Sequence, residues 1–168
     1  MSDPNQPEPR DPTLRDLTDM CRELNQRGAK YIIIGGMAMM EHGMPRFTED
    51  IDLLYETSRA NQLKIREVLS RLPQQAILEI DESEDMAAIG TIRVNDDITV
   101  DLMPDACGVD YEAAQQRVTM REREGVLIPY ADAELLLDTK KTWREKDQID
   151  SAYLRAKIAR EKSGQGGA

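Results

Sequence analysis

Residues Tyr31–Tyr55, YIIIGGMAMMEHGMPRFTEDIDLLY, carry the organisation of this chain. A β-branched run, Ile32 to Ile34, stops at Gly35-Gly36, and a short apolar segment, Met37 to Met40, is closed by Gly43 and Pro45. Arg46, Thr48 and Glu49 lead into the alternation Asp50-Ile51-Asp52-Leu53. The order predicts a strand, a glycine turn, a short helix and a second strand that opens with two carboxylates.

Residues i and i+2 of a strand project to one face, which puts the carboxylates of Asp50 and Asp52 roughly 6–7 Å apart. Like charges at that separation raise each other's pKa, and a divalent cation between them removes the penalty. Mg²⁺ suits such a pair because it is a hard ion that takes carboxylate and phosphate oxygens. Gly35 and Gly36 let the backbone approach a ligand, and the N–H groups that open the following helix favour an anion. Together these features describe a site for a nucleoside triphosphate. The competing reading is a solvated strand end beside a glycine turn.

Outward from this stretch, 168 residues fit one domain. One Phe, one Trp and nine Met mean a core of Leu, Ile, Val, Met and Ala. A formal charge of −10 argues against broad capture of DNA or RNA, which needs basic surface to displace counterions. Cys21 and Cys107 form no motif and fit a reducing cytosol. With no leader and no apolar run of membrane-spanning length, a cytoplasmic location is expected.

Met1 to Arg10, with three prolines, read as a disordered tail. Asp11-Pro12 signals a helix start, Leu14, Leu17, Cys21 and Leu24 give its apolar stripe, and Gly28 ends it. Ser58 to Leu72 reads as a second amphipathic helix stopped by Pro73, and Ala76 to Ile80 as a short strand. Acidic Asp81 to Asp85 reads as a loop. Ile89 to Val94 and Ile98 to Met103 are β-type runs joined by a hairpin at Asn95-Asp96-Asp97. Asp101 lies inside the second run, either on a solvent face or as a third carboxylate that could bridge to a metal or accept a proton. Tyr111 to Arg117 gives a short helix. Val118 to Met120 and Val126 to Ile128 flank Glu124-Gly125 as a second hairpin, with Arg121, Glu122 and Arg123 in a wet turn and Pro129 as terminator.

Asp132 caps a helix that carries Leu135 to Leu137 and continues through Lys140, Lys141, Trp143, Arg144 and Asp147 to Asp150, with a break near Lys146. The charges form surface pairs, or else Lys140 or Lys141 reaches phosphates with Asp147 orienting it. From Lys162 the Ser, Gly and Gln content predicts a frayed tail.

Gly35-Gly36, then Arg46-x-Thr48-x-Asp50-x-Asp52, then Asp101 in an apolar strand resembles the nucleotidyltransferase superfamily related to DNA polymerase beta. The pattern is most similar to its small bacterial members: the AbiEii-type toxins, the minimal nucleotidyltransferases of toxin–antitoxin pairs and the antibiotic adenylyltransferases. Glu134 to Leu154, with its KD-x-x-D pattern, resembles their late helical segment.

The resemblance spans Tyr31 to Leu154 and implies an α/β (α+β) fold, a small mixed sheet flanked by helices with helices after it. With the two tails read from composition, 1–10 and 162–168, the expected division is a nucleotidyltransferase core (11–130) and a helical segment packed on it (131–161). The resemblance also implies Mg²⁺-dependent transfer of a nucleoside monophosphate, AMP from ATP, to a hydroxyl, with release of pyrophosphate. Gly35 and Gly36 would hold the β/γ-phosphates. Asp50 and Asp52 would ligate two Mg²⁺ ions, and Asp101 would ligate one and help activate the acceptor hydroxyl. Arg46 and Lys140, or Lys141 in its place, would add positive charge near the phosphates, while Thr48 would shape the approach to the metals. The acidic, short chain favours a small-molecule or protein acceptor, such as a partner toxin, over a large nucleic acid. Two other readings compete: an antitoxin-like binding module that keeps the fold without turnover, and a structural domain whose acidic residues face solvent.

Overall fold

A computed structural model describes residues 4–165. Helix α1 (Leu14–Gln26) starts two residues later than Asp11-Pro12 suggested, because a capping box decides the start. The Thr13 hydroxyl accepts the Asp16 N–H, and the Asp16 carboxylate accepts the Thr13 N–H at 2.7 Å. Arg10 adds two 2.8 Å hydrogen bonds to the Asp16 carboxylate, which holds its pKa down to about 2. A folded pKa below the ordinary value means that this anchor is fully present above about pH 4 and is lost as the pH falls through about 2. Thr13→Ala is expected to lower stability by about 1 kcal/mol in urea denaturation at pH 7.

Strand β1 (Tyr31–Ile34), helix α2 (Gly35–Glu41) and strand β2 (Asp50–Tyr55) fall where the central stretch places them. Helix α3 (Arg59–Leu69) follows, capped by Ser58. Ala76–Glu79 is a 3₁₀ turn, not the expected strand. The buried Asp96 carboxylate accepts the N–H groups of Gln74 and Ala76, each at 2.9 Å, and draws these donors away from any ladder. The β run expected from Ile89 is likewise shorter. Met86–Ile89 form α4, capped by Asp85, and Gly90 at φ 94° turns the chain into β3 (Ile92–Asn95).

Strand β4 (Thr99–Met103) completes the hairpin with β3. A small ribbon of β5 (Asp105–Ala106) and β6 (Val109–Asp110) leads to helix α5 (Tyr111–Ala114). Strands β7 (Val118–Arg123) and β8 (Val126–Ala131) then form a hairpin longer than expected. Arg121, Glu122 and Arg123 are strand rather than turn, since Glu124 and Gly125 both take positive φ and close a two-residue turn. Counting from that turn, Met120 and Pro129 face each other at a non-hydrogen-bonded position. The missing proline N–H therefore costs this ladder nothing, and Pro129 does not end the strand.

The six strands form one mixed sheet in the order β3-β4-β2-β1-β8-β7. The β2–β4 and β1–β8 pairs are parallel and the others antiparallel. Fully buried Leu17, Ile33, Ile51, Leu53, Leu102, Ile128 and Leu136 form much of the core, and α1 packs on α3 and β8.

Helix α6 (Ala133–Asp138) stops short of the lysines, and α7 (Glu145–Gln165) begins a new axis against it. The break falls at 139–144, earlier than Lys146. It is held open by Asp147, whose carboxylate accepts from the Thr142 hydroxyl and, at 3.0 Å, from Arg144 Nε. The segment expected to fray from Lys162 is helical through Gln165. The segment expected to be a disordered tail up to Arg10 is tied down at its end, where the Arg10 N–H donates to the Asp97 carbonyl at 2.8 Å, while 1–3 and 166–168 lie outside the described residues. No helix among the described residues is long and apolar enough to cross a membrane, and Cys21 and Cys107 are both free thiols.

Candidate active site

Sheet register creates the site. Arg93, Asp101, Asp52 and Ile34 are lateral neighbours across β3, β4, β2 and β1, so their side chains share one face of the sheet. Asp50, two residues before Asp52, joins them. Carboxylate oxygens of Asp50, Asp52 and Asp101 all lie within 4.8 Å of one another. The three carboxylates singled out in the sequence therefore converge.

Burial raises the pKa of Asp52 to about 8, reinforced by the charges of Asp50 and Asp101 and opposed by Lys140. Asp50 is raised too, first by burial and then by Asp101, with Arg93 opposing. Three hard oxygen donors that repel one another suit a hard divalent ion such as Mg²⁺.

Arg93 is the site residue that the sequence did not disclose. Its Nε donates to Asp101 Oδ1 at 3.0 Å and one terminal nitrogen donates to Asp101 Oδ2 at 2.8 Å. The same nitrogen reaches Asp50 Oδ2 at 3.1 Å. In the sequence Arg93 is an outward residue of an alternating strand, and only the pairing of β3 with β4 reveals its partners.

The glycine corner lies against this cluster. A Cβ on Gly35, which has φ +66°, would fall 1.9 Å from Asp52 Oδ2, and one on Gly36 would fall 2.6 Å from Thr48 Oγ1. Thr48 donates its hydroxyl hydrogen to the Asp50 carbonyl at 2.9 Å. Both glycines thus make room for site side chains.

The family model of the nucleotidyl transferase AbiEii toxin, of type IV toxin–antitoxin systems, matches residues 18–136. The chain belongs to the AbiEii nucleotidyltransferase family. No functionally curated protein matches it. Among solved structures, it is similar to a candidate nucleotidyltransferase from Thermotoga maritima, at 17% identity over 88% of this chain and 92% of that one, TM-score 0.55. It is also similar to an antigenic nucleotidyltransferase-like protein from Paracoccidioides brasiliensis, at 16% identity over 86% and 74%, TM-score 0.52. At these identities the likeness is one of fold.

The AbiEii match ends before the α6–α7 break, where this nucleotidyltransferase has a second charged group. Asp150, on α7, accepts Arg46 Nη1 at 2.5 Å and Lys140 Nζ at 3.0 Å, and Lys140 also lies 3.7 Å from Asp147. Lys140 is the inward lysine, 8% exposed, and its charge acts on Asp52. Lys141 does not join the site. The helix break turns it outward, 68% exposed, onto Asp138 at 3.3 Å.

Gly35→Ala is expected to cost about 1–2 kcal/mol for the left-handed backbone alone. It should also cut nucleotidyl transfer by about a hundredfold, since the new methyl must displace Asp52 by an ångström or more. Urea denaturation and a transfer assay on one preparation check both figures.

Proposed function

We propose that this AbiEii-family enzyme transfers AMP from ATP, with Mg²⁺, to a hydroxyl of a small molecule or a protein, releasing pyrophosphate. The observation that carries the reading is the cluster of Asp50, Asp52 and Asp101 within 4.8 Å, pressed against the Gly35 corner. The three carboxylates would hold the metal, with two ions in the nucleotide complex. When bound, the ions would neutralise charge on the phosphoryl oxygens and on the leaving pyrophosphate.

The chain's own groups supply the rest. Arg93 fixes the Asp101 carboxylate, which keeps a lone pair for the proton of the attacking hydroxyl. Backbone at Gly35 and Gly36 approaches the β/γ-phosphates. Lys140 and the second terminal nitrogen of Arg46, which faces Gly36, add positive charge there. Thr48 keeps the start of β2 in place through the Asp50 carbonyl.

A cleft of about 680 Å³ opens beside Asp50 and Arg93, and its wall includes Glu8, Asp11 and Glu49. This acidic wall supports a compact or protein hydroxyl rather than a polyanionic acceptor. The matched family is named for the toxin of a type IV pair, so a protein acceptor need not itself be a partner toxin.

α-Labelled triphosphates incubated with candidate acceptors and Mg²⁺ test the proposal by mass spectrometry. The expected result is an acceptor heavier by one nucleoside monophosphate less water, with ATP as donor. Pyrophosphate release without any such adduct on any acceptor would remove the transfer reading.

A further inference from the structure

The chain contains one Phe and one Trp. Phe47 is 94% exposed and Trp143 is 96% exposed, whereas the next most exposed large hydrophobic among the described residues, Ile149, reaches 54%. All five tyrosines are buried or half-buried. The two side chains with most apolar surface to gain from burial are thus the two left in water.

Their positions in the fold are related. Phe47 lies between Arg46, which is tied to Asp150, and Thr48, which is packed against Gly36. Trp143 lies between Thr142 and Arg144, both tied to Asp147, and three residues after Lys140, which is tied to Asp150. Asp147 and Asp150 sit on the first turns of α7. The first turns of one helix therefore anchor both aromatic loops, and Arg46, next to Phe47, also lies against the Gly36 corner.

We propose that Phe47 and Trp143 form the base-binding subsite of this enzyme, taking the purine ring of a nucleoside triphosphate by stacking. The inference rests on the nucleotidyl-transfer reading above and adds to it how the donor is chosen. An exposed ring gains most from a flat, poorly hydrated partner, and a nucleobase is such a partner. Stacking grows with ring area and asks little of hydrogen-bonding edges. ATP and GTP are therefore taken comparably, and CTP and UTP less well. The charged groups on the inner side of both loops leave the triphosphate to the carboxylate and glycine end.

Because Trp143 is the sole tryptophan, its fluorescence reports the event directly. The full chain with Mg²⁺ is titrated with the α,β-methylene analogue of ATP, whose scissile bond cannot be cleaved, and separately with tripolyphosphate, which has the charges without the base. The expected result is quenching by the nucleotide and none by tripolyphosphate. In calorimetry, Phe47→Leu and Trp143→Leu should each weaken the nucleotide about tenfold while changing tripolyphosphate affinity less than about twofold. Neither substitution touches the core, so unchanged thermal melting accompanies both.

Nucleotide binding that leaves Trp143 emission unchanged, or equal nucleotide affinity in both Leu variants, overturns the subsite while leaving the transfer reading intact. Variants that keep nucleotide affinity but lose a bound protein make the pair a protein-docking surface, which also overturns it. If the unaltered chain binds neither nucleotide nor tripolyphosphate, the transfer reading falls and the subsite with it.

Discussion

Asp52→Asn is expected to lower nucleotidyl transfer by about three orders of magnitude or more while the fold survives. Asparagine keeps the shape of the side chain at the centre of the cluster, between Ile34 on β1 and Asp101 on β4, and removes only its charge. The stability effect has the opposite sign to the activity effect. Burial and two neighbouring carboxylates hold the folded-state pKa of Asp52 near 8, well above the ordinary value of 3.8. A raised carboxylate pKa means that the folded state binds the proton more tightly than the unfolded chain does. The contribution is favourable below about pH 4 and is lost as the pH climbs through about 8. In chelator at pH 8 the Asn variant should therefore be more stable by about 1–2 kcal/mol, or roughly 3–6 °C in melting temperature. Added Mg²⁺ should stabilise the unaltered protein more than the variant. Transfer within about tenfold of normal in Asp52→Asn would remove Asp52 from the chemistry.

How much of this site a reader of the sequence could see depended on whether a residue's environment was local. Asp50 and Asp52 were legible because two charges on one face of an apolar strand contradict their neighbours, whereas Asp101 alone also suited a solvent face and stood out only beside that pair. Gly35 and Gly36 were legible as a tight corner, but their reason was not. The atoms that a Cβ would strike belong to Asp52 and Thr48, more than ten residues on. Arg93 was hidden because an outward arginine on an alternating strand contradicts nothing. Its role exists only in the register of β3 on β4.

The choice between Lys140 and Lys141 could not be made from helical spacing, because the helix stops at Asp138 and restarts at Glu145. Periodicity fails across a break. Ala76–Glu79 failed for a related reason. Its hydrophobicity suits a strand, but a carboxylate twenty residues away takes the N–H of Ala76 at its start.

The α6–α7 break also gives the largest stability prediction. Asp150 is 1% exposed and accepts hydrogen bonds from Arg46, 12% exposed, and Lys140, 8% exposed. Asp150→Ala leaves two cations in a poorly hydrated space, with Asp147, 3.7 Å from Lys140, as a remaining carboxylate. Breaking a buried ion pair from one side costs about 3–5 kcal/mol, more than the pair contributes when whole, because the desolvated partner remains behind. For a chain of this size that is a fall of about 10 °C in melting temperature.

Asp150→Asn should fall between, since an amide oxygen can still accept one hydrogen bond but offers no countercharge. In the double variant Arg46→Ala with Asp150→Ala the loss should be well short of additive, because the stranded guanidinium is gone. Lys141→Ala is the control: its pair with Asp138 stands in water, and its removal should change stability by no more than about 0.5 kcal/mol. Thermal and urea unfolding of the four variants at pH 7 check the ordering. A loss under about 1 kcal/mol for Asp150→Ala would mean that water reaches Arg46 and Lys140 freely. The cationic side of the site would then be held by the loops themselves rather than by α7.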